Sequence, residues 1–123
     1  MNDTIYQTIL DKLQDYLPAV WDKVLFYAAY TEGNYSIKFY VKNGAEVTSC
    51  FQLPGLGQVQ LISLFLSLDK DIASERKKLS KKDTWSVMTM IVDSQGDLKV
   101  FFDYADISRN SIAYFREWEK KYL

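Results

Sequence analysis

The sequence predicts an α+β fold, an antiparallel sheet of about five strands with helices packed on it, in the order α-β-β-β-α-β-β-α. Three observations predict it. Apolar residues recur at helical spacing in three stretches, and five others are rich in strand formers. Turn signals join the strands as hairpins, which favours antiparallel pairing. The chain has 123 residues, 48% hydrophobic and 25% charged, which suits one globular domain, 1–123, rather than two. The helices are expected on one face of the sheet.

The first helix is predicted over Asp3–Tyr16, where Ile5, Ile9, Leu13 and Tyr16 form a stripe widened by Tyr6, Leu10 and Leu17. Asn2, Asp3 or Thr4 can cap it, Thr4 and Gln7 have the spacing of a capping box, and Pro18 ends it. Lys23–Thr31 is a strand rich in Tyr, Phe, Val and Leu. The turn Glu32-Gly33-Asn34 leads to Tyr35–Lys42, in which Tyr35, Ile37, Phe39 and Val41 alternate with Ser36, Lys38 and Tyr40. Asn43-Gly44 has the composition of a type I′ hairpin turn, with both residues at positive φ. A third strand is predicted over Glu46–Gln52, ending at Pro54-Gly55.

Helical spacing returns from Gly57 to Leu79, with Leu61, Phe65, Leu68 and Ile72 on one face and a basic C-terminal end that complements the helix dipole. Strands Trp85–Asp93 and Leu98–Tyr104 follow, joined by the turn Ser94-Gln95-Gly96-Asp97. The last helix is predicted over Arg109–Tyr122, with Ile112, Phe115, Trp118 and Tyr122 on its apolar side. Trp118 is assigned to the core. Trp21 and Trp85 fit core or surface anchors, and core is preferred.

Composition narrows the function. A net charge of −1 argues against a general nucleic-acid binder. The basic run Arg76, Lys77, Lys78, Lys81 and Lys82 lacks interleaved aromatics and reads as a solvated helix end. A lone cysteine, Cys50, forms no internal disulfide and reads as a small apolar filler. The N-terminus lacks the pattern of a signal peptide, and the apolar stretch around Leu61–Leu68 is too short to span a bilayer, so cytoplasm is expected.

The chain has no histidine, which removes the commonest general base and metal ligand. Gly55-Leu56-Gly57 lacks the rest of any phosphate-binding motif. Catalytic, cofactor and metal residues are therefore all assigned as none. The carboxylates Asp93, Asp97, Asp103 and Asp106 admit three readings: solvated turn charges, an acidic patch for a partner, or a cation or acid/base site.

Three blocks resemble the YezG/EsaG-like family of bacterial immunity proteins. The first is Leu17-Pro18-x-x-Trp21-x-Lys23-Val24-x-x-Tyr27-Ala28. Next come Trp85, Met88-Thr89, Gly96 and Phe102-x-Tyr104-x-Asp106-Ile107, then Arg109 followed by Trp118-Glu119-Lys120-Lys121-Tyr122-Leu123. Their order and spacing extend from Leu17 onward, while Asn43–Leu56 carries no such motif. The resemblance implies a non-enzymatic cytosolic antitoxin that binds a cognate nuclease toxin, exported by type VII secretion or belonging to a contact-dependent system. No cofactor, no direct nucleic-acid contact and no membrane are expected from the composition above.

A nuclease groove that holds phosphates is positively charged, so acids and tyrosines can cover it. On that ground Asp97, Asp103, Tyr104 and Asp106 are expected to form a partner-binding surface, with Tyr40 and Glu46 as contributors. Period-two geometry sends Asp103 and Tyr104 to opposite faces. Two other function classes remain open, a small-ligand-binding regulatory domain with a pocket beside the sheet and a metal-dependent hydrolase built on the aspartates.

Overall fold

The computed structural model describes residues 3–123. Its elements are helix α1 (Thr4–Gln14), strands β1 (Lys23–Thr31), β2 (Asn34–Asn43) and β3 (Glu46–Ser49), helix α2 (Gln58–Lys77), strands β4 (Val87–Asp93) and β5 (Leu98–Asp103), and helix α3 (Ser111–Tyr122). The order is the predicted one. All five strands form a single antiparallel sheet in the spatial order β3-β2-β1-β4-β5.

Helices cover both faces of this sheet, not one. α1 and α2 pack with Val24, Phe26, Ala28, Ile37, Phe39, Met88 and Met90. On the opposite face α3 packs through Trp118 over Leu25, Tyr27, Ala29, Tyr40 and Val87. The cause lies in β1, where Val24-Leu25-Phe26-Tyr27-Ala28-Ala29 is an unbroken buried run. A strand without alternation needs cover on both sides.

Local chemistry explains where the elements end. Asp3 is the N-cap of α1 but makes no side-chain capping bond. Of the other two capping candidates, Asn2 lies outside the described residues and Thr4 is already the first residue of the helix. A capping box does occur at Ser49 and Gln52, where it opens a short 3-10 turn, Cys50–Gln52. That turn stops β3 at Ser49, three residues before its predicted end. The β2–β3 hairpin turns on Gly44 and Ala45, since Asn43 still pairs with Glu46. Of these two residues only Gly44 has positive φ, +61°, as a type II′ turn requires at its first central position, so the expected type I′ geometry is replaced.

The two helices of one layer are joined by Lys12, whose amine donates to Ser67 Oγ at 2.7 Å and pairs with Asp71. Arg76, at the end of α2, donates from Nε (2.9 Å) and from a terminal nitrogen (2.6 Å) to the Trp85 carbonyl. Its guanidinium lies over the rings of Tyr30 and Trp85. One member of the basic run is thus a structural clamp, while Lys77, Lys78, Lys81 and Lys82 are exposed. Trp85 and Trp118 are both core residues, and Trp21 is half-buried against the α1/α2 layer. Ile112, expected on the apolar side of α3, is instead 71% exposed.

Candidate partner-binding surface

β5 is an edge strand, and the acidic candidates sit at its two ends. Asp97 closes the β4–β5 turn, where the Asp93 carboxylate accepts from the N–H groups of Gln95 (2.9 Å) and Asp97 (3.0 Å). Asp103 ends the strand roughly 20 Å away, at about 3.3 Å per residue. Asp93 therefore serves the turn. Asp97 is separated by the length of β5 from Asp103 and Asp106, and the carboxylates do not converge on one point. Among the described residues, no group of three or more His, Cys, Asp or Glu is placed to hold a metal ion.

Asp103 faces α3 and accepts a hydrogen bond from the Tyr114 hydroxyl. Burial, followed by this bond, pushes the Tyr114 pKa up. Tyr104 lies on the other face, 58% exposed. There it contributes to the raised pKa of Tyr6, behind burial and Asp3. Asp106, in the loop before α3, accepts from the Ser108 hydroxyl (2.6 Å) and N–H (3.0 Å), which lower its pKa. Asp103, Tyr104 and Asp106 thus share one end of the sheet, although Asp103 and Tyr104 open onto different faces.

The remaining two candidates lie elsewhere. Tyr40 is only 8% exposed and packs under Trp118 at 5.8 Å between ring centres, so α3 removes it from the surface. Burial first, then Glu119, pushes its pKa up to about 12. Glu46 is exposed but begins β3, at the opposite edge. Four strand spacings of about 4.8 Å separate that edge from β5.

Sequence reasoning overlooked two surfaces. The first is the row of side chains along β5 itself, where Phe101 is 46% exposed beside Tyr122 and Leu98 is also exposed. The second is the outer face of α2, where Val59, Ile62 and Leu66 are exposed. A cleft of about 390 Å³ opens there between Phe51, Leu61, Ile62 and Phe65. The signal was present: residues 47–68 contain no charged side chain, and apolar residues occupy more than one face of the helix.

A cleft of about 310 Å³ lies beside α3, lined by Tyr27, Tyr35, Lys38, Phe115, Arg116 and Glu119 among others. The Lys38 amine sits 3.6 Å from the centre of the Phe115 ring, and burial lowers its pKa against the pull of Glu119. Cys50 is fully buried, and burial pushes its thiol pKa up, the opposite of what a nucleophile needs. Among the described residues, no helix is long and apolar enough to cross a membrane.

A family model described as "Immunity protein YezG-like" matches residues 2–123. The chain belongs to the YezG-like immunity protein family. Among its relatives, Immunity protein YezG of Bacillus subtilis (strain 168) is 22% identical over 130 residues, covering 97% of this chain and 85% of the relative. Immunity protein YezG of Bacillus spizizenii (strain W23) is 21% identical over 110 residues, covering 84% of this chain and 68% of the relative. For a YezG-like protein the exposed acids and aromatics on and around β5 acquire a context, since an immunity protein acts on a toxin.

Proposed function

We propose that the chain works as one domain, 1–123, that binds a cognate nuclease toxin in the cytoplasm and neutralises it by covering the surface that holds its substrate. Membership of the YezG-like family carries this reading. The acidic residues at the ends of β5 support the nuclease part of it. A groove built for phosphates is basic, and Asp97, Asp103 and Asp106 would complement it, with Tyr104 adding aromatic area. Glu46 would contribute only if the toxin reached across the sheet, and Tyr40 is left out because α3 covers it.

The reading assigns the protein no catalytic step. It has no histidine, and its only thiol is buried with a raised pKa. Binding alone then accounts for inhibition, with charge speeding encounter and buried aromatic contacts slowing release. The toxin would be one exported by type VII secretion or delivered by contact.

Co-expression with the C-terminal domain of the polypeptide encoded beside this chain tests the proposal. The expected result is a co-purifying complex, protected cells and lost nuclease activity. Unprotected cells without a complex would overturn it, as would turnover by the purified chain alone.

The cleft beside α3 favours a second reading, a regulatory domain for a small anionic ligand held by Lys38 and Arg116. A thermal shift with a panel of anionic metabolites, lost in Lys38→Met, would support it; no shift would count against it.

A further inference from the structure

We propose that the open edge of β5 takes up an extended segment of the toxin as a sixth strand, a segment with apolar residues in its middle and Lys or Arg at its ends. This rests on the toxin-binding reading above and adds the mode of contact.

Backbone geometry supplies the first argument. The Ser94 N–H donates to the Asp22 carbonyl at 2.9 Å, on the β1 side, and the Asp93 N–H to the Asp97 carbonyl at 3.0 Å, on the β5 side. In an antiparallel ladder these bonds fix the alternation. Even-numbered residues of β4 turn their backbone groups to β1, and odd-numbered ones turn theirs to β5. Through the pairs Ile91↔Lys99 and Thr89↔Phe101, Lys99 and Phe101 bond inward to β4. Leu98, Val100 and Phe102 therefore point their N–H and C=O groups away from the sheet. β5 has β4 on one side and no strand on the other, so the ladder leaves these six groups unpaired.

Little protects this edge. Native edges are usually blunted by proline, a bulge, several charges or a covering element. β5 pairs with β4 without interruption over six residues, contains no proline, and carries only Lys99 as a mid-strand charge. Leu98 on one face and Phe101 on the other are exposed beside the open groups, and a further strand would cover both.

Charge selects the occupant. A second copy pairing antiparallel over the full strand would centre on Val100, setting Val100 against Val100 and Asp97 against Asp103. Such a dimer places two acids opposite each other at both ends, which destabilises strand pairing. A register centred on Phe101 would set Lys99 against Asp103 but leave Leu98 opposite no residue of β5. A segment with basic ends reverses the sign of both acid–acid contacts. It also matches the cationic surface expected of a nuclease. Apolar or β-branched residues at its centre would meet Leu98 and Phe101, the usual division of labour in strand addition.

Amide hydrogen exchange, read residue by residue, tests the proposal on the complex with the C-terminal domain of the neighbouring gene product. In the free protein, Leu98, Val100 and Phe102 amides should exchange quickly while Lys99 and Phe101 are protected. In the complex the first three should slow by about 100-fold, as ladder amides do. A complex that forms while these three amides keep their free rates overturns the strand addition and leaves toxin binding standing. Failure to form any complex removes both. Protection that grows with the concentration of the free chain would mean self-pairing and would also overturn the proposal.

Val100→Pro offers a second measurement, because it deletes an N–H that points outward and leaves the β4 bonds in place. Binding should weaken about tenfold or more, the scale of one lost bond plus the bulk of the ring, with β1–β4 amide signals unchanged. Undiminished affinity in a folded variant would sink the idea. If the variant does not fold, the exchange experiment on the unmodified protein still decides.

Discussion

The Trp118 indole N–H donates to the Thr89 hydroxyl at 2.9 Å, a buried bond that joins α3 to the middle of the sheet. Around it the Trp118 ring meets Tyr27, Tyr40, Phe115 and Tyr122. Thr89→Val keeps the shape and removes the acceptor, leaving a buried donor without a partner. The expected loss is about 1–3 kcal/mol in urea unfolding. Near-ultraviolet circular dichroism should report a loosened tryptophan. No change in either signal would mean that water or a shifted ring satisfies the indole.

Arg76 separates itself from its basic neighbours in a measurable way. Lysine cannot reproduce the fork that meets the Trp85 carbonyl, nor stack on Tyr30 and Trp85 in the same manner. Arg76→Lys should cost about 1–2 kcal/mol by denaturant titration. Replacing Lys77, Lys81 or Lys82 by Gln should stay within about 0.5 kcal/mol, as expected for exposed side chains. Equal effects across the run would contradict the clamp.

Much of this fold was legible because its signals are local. The alternation in Tyr35–Val41, the break at Gly96 and the stripe Leu61, Leu68, Ile72 each report an element on their own. The arrangement of layers was less legible, although β1 held a clue. Its buried run from Val24 to Ala29 lacks alternation and so demanded cover on two faces. The hairpin at Gly44 turns one residue later than its composition indicates, since Asn-Gly suits one turn while the pairing of Asn43 with Glu46 selects another.

For the candidate surface, the acids were visible as residue types. What they flank was not, because an open strand edge consists of backbone groups that carry no residue identity. Only the position of β4 beside β1 makes β5 an edge. Tyr40 was a plausible surface phenol by alternation alone, and the long-range docking of α3 put it in the core.

Alkaline pH should unfold the protein for a defined reason. Burial is the leading cause that pushes Tyr27 and Tyr40 up to about 12, with Tyr40 assisting for the former and Glu119 for the latter. Tyr30 and Tyr114 are raised as well, by burial and by bonds to Asp69 and Asp103. In the unfolded chain these phenols titrate near an ordinary value of about 10. Between those values the unfolded state has released protons that the native state still holds. Stability from these groups is thus complete below pH about 10 and falls as pH rises toward 12 and beyond. A urea midpoint series should decline over that window, with the phenolate absorbance of the buried tyrosines appearing only on unfolding. A flat series through that range would mean that the four phenols are accessible to solvent.

The acids at the ends of β5 should act on the rate of encounter more than on the lifetime of the complex. Asp97 and Asp106 are exposed, and their carboxylates bond to groups in their own loops or to none, so they act as solvated charges. Asp103 differs, being tied to Tyr114, so its replacement would also disturb α3. The informative variant is therefore Asp97→Lys with Asp106→Lys. Its association rate with a basic toxin surface should fall about tenfold or more at low salt, because exposed charges at a rim steer encounter. Near physiological ionic strength, with a screening length of about 8 Å, the gap should narrow. Dissociation, governed by the apolar contacts along Leu98 and Phe101, should change little, whereas Phe101→Ala should raise the dissociation rate and leave the salt dependence intact. Stopped-flow association and surface-based dissociation measurements separate the two effects. An association rate that is insensitive both to the double substitution and to salt would place the toxin on another surface, with the uncharged face of α2 at Val59, Ile62 and Leu66 the next to probe.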